Sequence, residues 1–221
     1  MRLYRDDEPQ YPTAARRVAA QKKSSSASEG DEEERAHWRE LVGYLDPRRL
    51  LFVDECSTHT SMTRTRARAP KGKRAHGRVP RNRGKHTTLI ASMSLAGMEQ
   101  AMTFEGATDK KVFEAYVERF LAPALRLGQV IILDNLGAHK GERVRDLVEA
   151  RGASLLFLSA YSPDFSPIEE AFSKIKAILK KEAARTREAL VEAIGRALDA
   201  VTPEDAKGWF VHCGYEVEAQ R

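Results

Sequence analysis

Residues 161–169 read YSPDFSPIE, a turn rich in proline and serine that leads into a helical pattern and ends on the carboxylate of Glu169. Two other carboxylates stand upstream, and each follows an apolar run typical of a strand: Asp54 after LLFV and Asp134 after VIIL. Thirty-four residues separate Asp134 from Glu169. Carboxylates at two strand ends and one helix start can converge on divalent metal ions, so this spacing predicts a carboxylate metal site.

The strand and helix patterns around these carboxylates predict the fold class. Apolar runs bounded by turn residues indicate a meander of strands at 50–54, 87–94 and 98–104, followed by strands at 130–134 and 155–158. Helices are expected at 36–45, 109–121, 141–150, 167–182 and 187–200, with a short one after Pro203. Right-handed crossovers then give an α/β fold, a mixed five-stranded sheet with helices on both faces. This order resembles the ribonuclease-H-like arrangement, and the resemblance implies that the first and fourth strands are neighbours.

Two of these helices carry a specific expectation about their buried face. Thr108 is expected to cap the second helix, with Val112, Tyr116, Phe120 and Ala124 on one face at helical spacing. The helix 167–182 shows an apolar stripe of Ile168, Phe172, Ile175 and Leu179.

Bulk properties narrow the class of protein. The chain has 221 residues, 42% of them hydrophobic, a formal net charge of +5 and a pI of about 9.2, which favours one domain with an appendage and a polyanionic partner. Cys56 and Cys213 lack zinc-site spacing and are expected to be free thiols in a reducing compartment. No apolar run is long enough to span a membrane and the N-terminus does not resemble a signal peptide, so we expect a cytoplasmic protein without a membrane partner.

Neighbouring acids offer alternatives to each candidate carboxylate. Asp54 and Asp134 are also typical of turn and cap residues, and an acid in the first turn of a helix, such as Glu169, is favoured by the helix dipole alone. Glu55 should point away from Asp54, because adjacent strand residues face opposite sides of the sheet. Glu170 stays open as an alternative to Glu169, and Asp164 is interpreted as a turn former within Ser-Pro-Asp.

Residues 134–140 (DNLGAHK), taken with 161–169, resemble the catalytic core of the mariner superfamily of transposases, in particular its bacterial insertion-sequence branch. In that family an Asp-Asn pair with a following His, and then a Ser-Pro-Asp-Leu-Asn-Pro-Ile-Glu turn, bracket the second and third members of an Asp-Asp-Glu triad. Here Phe165-Ser166 replaces Leu-Asn, and Phe172 stands where family members often have Trp. The resemblance covers roughly residues 48–215.

The resemblance implies a ribonuclease-H-like DDE catalytic domain whose catalytic and metal-binding residues are Asp54, Asp134 and Glu169, with two Mg²⁺ or Mn²⁺ ions as cofactors. Asn135 and His139 would support these ligands, His139 alternatively contacting DNA. The implied activity is endonuclease cleavage at transposon ends followed by strand transfer in DNA transposition. The implied partners are double-stranded DNA, as transposon ends and target, and a second copy of the chain in a homodimer. The implied location is the nucleoid of a bacterial cytoplasm.

The N-terminal part departs from the family. Relatives carry a helix-turn-helix DNA-binding region before the catalytic core, whereas residues 1–35 are interpreted as its remnant plus a linker, with 36–221 as the catalytic domain. Arg16, Arg17, Lys22 and Lys23 could be remains of that region. Two alternatives stay open: a related nuclease without strand transfer, and a truncated, non-catalytic DNA-binding product that inhibits the full-length protein.

A basic segment separates the first two predicted strands. Between Arg64 and His86 there are ten Arg or Lys residues and no acid, so the segment should bind the DNA backbone by contacts that are salt-dependent and blind to sequence. The alternative is a solvated, mobile loop. The predicted DNA-binding residues are Arg64, Arg66, Arg68, Lys71, Lys73, Arg74, Arg78, Arg81, Arg83 and Lys85. Lysines 174, 176, 180 and 181, on the helix that bears Glu169, are expected to form a solvated face.

Overall fold

A computed structural model describes residues 32–82 and 84–217, and it places five strands in one mixed sheet. The spatial order is β3-β2-β1-β4-β5, with β1 antiparallel to β2 and parallel to β4. The predicted sheet, including the adjacency of the first and fourth strands, is therefore confirmed. The strands are β1 (Leu50–Thr58), β2 (Thr87–Ser94), β3 (Gly97–Glu105), β4 (Val130–Leu133) and β5 (Ser154–Phe157).

Helices cover both faces of this sheet, in agreement with the prediction. None of them, within the described residues, is long and apolar enough to cross a membrane. A π-helical turn, Val117–Leu121, lies between α2 and α3. The helices are α1 (Glu32–Gly43), α2 (Lys110–Tyr116), α3 (Ala122–Ala124), α4 (Glu142–Glu149), α5 (Pro167–Glu182), α6 (Arg187–Asp199) and α7 (Pro203–His212).

The core divides between the two faces because alternate strand residues point in opposite directions. Leu50, Phe52 and Cys56 of β1 pack with residues of α1, α5, α6 and α7 on one face. Leu51 and Val53 pack with α2 and α4 on the other. The apolar stripe predicted for α5 is buried throughout, which presses this helix against β1 and sets where its N-terminus lies.

Helix α1 begins at Glu32, four residues before the predicted start, and ends at Gly43. Glu32, Glu33 and Glu34 occupy its first turn, where the helix dipole favours negative charge. The acids that resembled part of a linker are therefore an N-terminal helix turn. Trp38 is only 4% exposed and joins the core, so α1 belongs to the same folded unit as the sheet.

The second predicted helix differs from expectation in its cap and its buried face. Asp109, not Thr108, is the N-cap, since its side chain accepts a hydrogen bond from the backbone N–H of Val112 at 2.8 Å. The π turn then inserts extra backbone and rotates the following side chains relative to a regular α-helix. As a result Phe120 is 41% exposed, and the buried residues are Phe113, Tyr116, Val117 and Leu121.

Candidate active site

Asp54 and Asp134 lie side by side where β1 and β4 stop pairing. The parallel register joins Phe52 to Ile132, and each aspartate stands two residues further along its chain. Asp134 directly follows β4, as predicted. Asp54 does not end its strand: β1 continues to Thr58, paired with β2, so the prediction of a strand end at Asp54 was wrong. The aspartate sits instead where β4 no longer covers that edge of β1.

Glu169 lies in the first turn of α5, close enough for its charge to act on Asp54. Pro167 opens the helix, and the backbone N–H of Glu169 donates to the carbonyl of Ser166 at 3.2 Å. The negative charge of Glu169 raises the pKa of Asp54. The Oε1 of Glu170, by contrast, lies 3.4 Å from His212 Nδ1, and the charge of Glu170 raises the pKa of the Cys213 thiol. Of the two neighbouring acids, Glu169 therefore faces the aspartates and Glu170 faces α7.

The surroundings of Asp54 disfavour its ionised form. Burial raises its pKa from 3.8 to about 7, and the charges of Glu169, Glu55 and Asp134 add to this increase. The backbone N–H of Glu55 donates to Asp54 Oδ1 at 2.7 Å and partly opposes it. Asp54 therefore holds a proton at neutral pH more readily than an ordinary aspartate, and a nearby cation would favour its ionised form.

His139 connects Asp134 to Glu55 across the edge of the sheet. The ring is 1% exposed, and its Nε2 lies 3.1 Å from Glu55 Oε1. Its Nδ1 lies 2.5 Å from Asp134 Oδ1, an ion pair when the ring is protonated. Burial lowers the pKa of His139, but the two carboxylates outweigh it and raise the pKa from 6.5 to about 9. Phe113 packs on the ring with 4.2 Å between ring centroids.

This contact makes Glu55 a residue that sequence reasoning missed. Adjacent strand residues do face opposite sides, but Glu55 reaches the site through His139 instead of entering it beside Asp54. The side chain of Asn135, by contrast, is exposed, and it has no hydrogen bond within the described part of the chain. Its assigned supporting role stays a prediction.

The donor set fits a divalent cation, although the three carboxylates are not drawn together. Within residues 32–82 and 84–217, no three His, Cys, Asp or Glu side chains are close enough to hold an ion. Carboxylates repel one another without a counter-ion, and the raised pKa of Asp54 records that repulsion together with its burial. Hard carboxylate oxygens are the ligands that Mg²⁺ and Mn²⁺ prefer.

Asp164 has a larger role than that of a turn former. Its carboxylate accepts two hydrogen bonds from the guanidinium of Arg35, at 3.0 Å and 2.7 Å. Arg35 lies in α1, and the two residues are 129 positions apart in the chain, so no local pattern could have indicated the contact. The guanidinium holds the pKa of Asp164 below its ordinary value.

The basic segment between β1 and β2 is a loop without helix or strand in its described residues. Residues 64–82 and 84–86 are exposed, whereas Ser61 and Met62, near the start of the loop, are buried. The predicted DNA-binding residues that the structure describes are therefore exposed, and Arg83 lies outside the described residues. Lys85 is engaged, since its Nζ lies 2.5 Å from Glu105 Oε1. Arg185, just after α5, anchors the start of the loop by donating to the carbonyls of Thr60 and Met62 at 2.8 Å and 3.1 Å.

Other predicted basic residues and the cysteines can be placed briefly. Lys174 was expected on a solvated face, but it is partly buried and its Nζ lies 2.5 Å from Asp205 Oδ2. Residues 1–31, with Arg16, Arg17, Lys22 and Lys23, lie outside the described part of the chain. Cys56 and Cys213 are free and buried, as predicted for isolated thiols.

A family model described as "DDE superfamily endonuclease" matches residues 49–191. No curated protein matches the sequence. Among solved structures, the Mos1 transposase paired-end complex with left transposon end is similar with a TM-score of 0.72 and 19% identity, over 90% of this chain and 64% of that chain.

Two further Mos1 structures show the same fold. The Mos1 mariner paired end complex with Mn gives a TM-score of 0.70 at 18% identity, over 90% of this chain and 63% of that chain. The catalytic domain of Mos1 mariner transposase gives 0.60 at 16% identity, over 88% of this chain and 98% of that chain. The chain thus spans less than two thirds of the first of these proteins and nearly all of the catalytic domain.

Proposed function

This chain belongs to the DDE superfamily of endonucleases, and we propose that it is the catalytic domain of a mariner-like transposase from the bacterial insertion-sequence branch. The observation that carries the proposal is the placement of Asp54 and Asp134 in register on adjacent parallel strands, with Glu169 facing them from α5. The motif at 134–140 and the turn at 161–169 support the branch. Nucleoid association in a bacterial cytoplasm follows from this proposal.

Asp54, Asp134 and Glu169 would hold the metal, as the fit of their donor set supports. Two divalent ions, Mg²⁺ or Mn²⁺, would activate the attacking oxygen and stabilise the leaving one. The Mn in the similar Mos1 complex supports a divalent ion. His139, held by Glu55, would orient the Asp134 carboxylate through its Oδ1 contact and leave Oδ2 directed to the ion.

The proposed reaction has two steps at one site. A water oxygen attacks the phosphorus at the transposon end, and the bond from phosphorus to the 3′ oxygen breaks to leave a 3′-hydroxyl and a 5′-phosphate. The 3′-hydroxyl then attacks a target phosphodiester in line, loses its proton, and displaces the target's own 3′ oxygen. A bound cation would favour the ionised form of Asp54, whose pKa is raised by burial and by the neighbouring carboxylates.

The exposed basic loop would bind the backbone of double-stranded DNA. Its arginines and lysines from Arg64 to Arg81 form no ion pair with other described residues, so their charges are available to phosphates. Two transposon ends must be joined, so we expect a homodimer in the active complex. The residues before α1 would be the remnant of a recognition region and its linker, so the boundary predicted at residue 35 moves to the start of α1 at Glu32.

Cleavage of a labelled duplex in Mg²⁺ or Mn²⁺ tests the proposal, with pre-nicked ends included to bypass end recognition. Asp134→Asn should abolish nicking and joining, and Glu169→Gln should do the same. Glu170→Gln is the matched control. The side chain of Glu170 faces His212, so this substitution should leave cleavage unchanged. Equal loss in Glu169→Gln and Glu170→Gln would contradict the assignment of Glu169.

The same assay separates the alternatives. Nicking of intact DNA without joining of pre-cleaved 3′ ends would indicate a nuclease that lacks strand transfer. Salt-sensitive DNA binding that is equal in the parent chain and Asp134→Asn, without cleavage by either, would indicate a non-catalytic DNA-binding product.

A further inference from the structure

The connection between β5 and α5, residues 158–166, leads directly into the first turn of α5 and so affects the position of Glu169. We call it the β5–α5 turn. It ends three residues before Glu169, whose backbone N–H is bonded to Ser166. Within it, Tyr161 has φ of 55°, a left-handed conformation that costs a non-glycine residue free energy and persists only where the surroundings hold it. The turn therefore needs external contacts to keep its shape.

Arg35 of α1 supplies the largest set of these contacts. Its side chain is only 6% exposed. Besides the bidentate pair with Asp164, its Nη1 donates to Ser162 Oγ at 2.8 Å. Its guanidinium lies 4.6 Å from the ring centroid of Phe165, within cation–π distance. One side chain thus holds the polar and the aromatic residues of the turn at once.

The hydroxyl of Ser162 carries the contact further along the turn. It accepts from Ser159 Oγ at 2.9 Å and donates to the carbonyl of Ala160 at 3.2 Å. With the bond from Arg35, the one donor and two acceptor sites of the hydroxyl are all used. Loss of Arg35 would therefore leave one acceptor site of the buried Ser162 hydroxyl unsatisfied, directly after the strained backbone of Tyr161.

Space behind the turn gives it somewhere to move. A cavity of about 270 Å³, partly open to solvent, is lined by residues of the turn, of the first turn of α5 and of the end of α7 with its C-cap, among them Pro163, Glu169 and Cys213. The hydroxyl of Tyr215, two residues after Cys213, also restrains the turn, because it donates to the carbonyl of Phe165 at 2.7 Å. Arg35 and Tyr215 thus hold the turn from two directions, and without Arg35 the turn can shift towards the cavity.

We propose that Arg35 is a positioning residue for Glu169, coupling helix α1 to the third carboxylate of the site. This inference rests on the proposed function, because it takes Glu169 to be a ligand in the reacting centre. A bidentate guanidinium–carboxylate pair fixes direction as well as distance, and a lysine ammonium cannot reproduce its geometry. Arg35 lies outside residues 49–191, so the family match does not include it.

Arg35→Met keeps most of the buried stem and removes the charge and its donors, while Arg35→Lys keeps the stem and the charge but loses the planar guanidinium that makes the bidentate pair. We expect both variants to need about 10-fold more Mn²⁺ for half-maximal cleavage of pre-nicked DNA, with a parallel loss in Mn²⁺ affinity measured by electron paramagnetic resonance. Arg39→Met is the matched control. Arg39 also lies over the Phe165 ring, at 5.5 Å, but its guanidinium forms its ion pair with Glu32 and none with a carboxylate of the turn. Ile194→Val, in the core on α6, controls for reduced stability alone.

The two buried cysteines give a readout that does not depend on activity. Cys213 lines the cavity behind the turn, whereas Cys56 lies in β1. In Arg35→Met we expect alkylation of Cys213, followed by peptide mapping, to be at least about 10-fold faster than in the parent chain, with Cys56 unchanged, because the opening is local.

Equal acceleration at both cysteines, or an unchanged Mn²⁺ requirement in Arg35→Met, would overturn the proposal. Equal effects in Arg35→Met and Ile194→Val would also overturn it, since they would reduce Arg35 to a general stabilising residue. A parent chain that neither binds Mn²⁺ nor cleaves DNA would overturn the proposed function instead. In that case the cysteine comparison still decides whether Arg35 holds the turn.

Discussion

Replacing Asp54 with asparagine should make the metal-free protein more stable at pH 8 while it abolishes cleavage. Asp54 is largely shielded from water, and burial with the neighbouring carboxylates raises its pKa from 3.8 to about 7. Asparagine keeps the oxygen that accepts the backbone N–H of Glu55 at 2.7 Å, and it cannot ionise. The substitution therefore removes the unfavourable charge with little change in shape.

The sign and size of the effect follow from proton linkage. Between the ordinary pKa of 3.8 and the folded value of about 7, the native state holds a proton that the unfolded chain has lost. Stability should therefore fall as the pH rises through this window, and the full loss is present above it. The two pKa values correspond to about 4 kcal/mol, or about 10 °C in melting temperature for a chain of this length.

Thermal unfolding of the parent chain and Asp54→Asn from pH 4 to pH 8, without metal, measures this difference directly. Asp46→Asn is a control in which the change in stability should have the opposite sign. Arg48 lowers the pKa of Asp46 and so favours its ionised form, which asparagine cannot adopt. Added Mn²⁺ should stabilise the parent chain and not Asp54→Asn. A stability difference between Asp54→Asn and the parent that is the same at pH 4 and pH 8 would refute the reasoning, as would a less stable variant at pH 8.

Three further predictions follow from single contacts. His139→Asn should cost about 2 kcal/mol in unfolding free energy, because it leaves the partly buried Glu55 and Asp134 without their shared cation; denaturant unfolding measures this, and an unchanged midpoint contradicts it. In the basic loop, Arg74→Gln with Arg78→Gln should reduce the slope of log affinity for DNA against log salt by about 2, whereas Lys85→Gln, already paired with Glu105, should change it less. Equal slopes in all three proteins would show that the loop does not contact phosphate. Ala183→Gly should raise stability by about 1 kcal/mol, because Ala183 caps α5 with φ of 52°, where glycine is not strained. A lower melting temperature in Ala183→Gly would contradict that reading of the cap.

Much of the fold could be predicted because its signals are local. The run at 130–133 is apolar throughout, as a strand covered on both faces should be, and helix α5 carries its buried stripe at regular spacing. Where backbone geometry departs from the regular pattern, prediction failed. The π turn at Val117–Leu121 moved Phe120 to the surface, and the longer β1 placed Asp54 inside a strand instead of at its end.

The candidate carboxylates could be predicted from the sequence, whereas the residues that contact them could not. Asp54, Asp134 and Glu169 stand in a motif with characteristic spacing, whereas the partners of these residues come from distant parts of the chain. Glu55 and His139 are 84 residues apart. Nothing in either local sequence indicates the other, and alternation along the strand argued against any role for Glu55.

The sequence by itself determined which residues bear the carboxylates, which segments form strands and helices, and where the basic charge is concentrated. These depend on side-chain type and on periodicity over a few residues, which the chain carries before it folds. The tertiary structure alone decided that the charge of Glu169 acts on Asp54 while Glu170 lies beside His212. It also decided that burial raises the pKa of Asp54 to about 7, and that Arg35 contacts the turn before Glu169. These depend on burial and on distances of a few ångströms between segments remote in sequence, and the packing of α1 and α5 against β1 sets those distances.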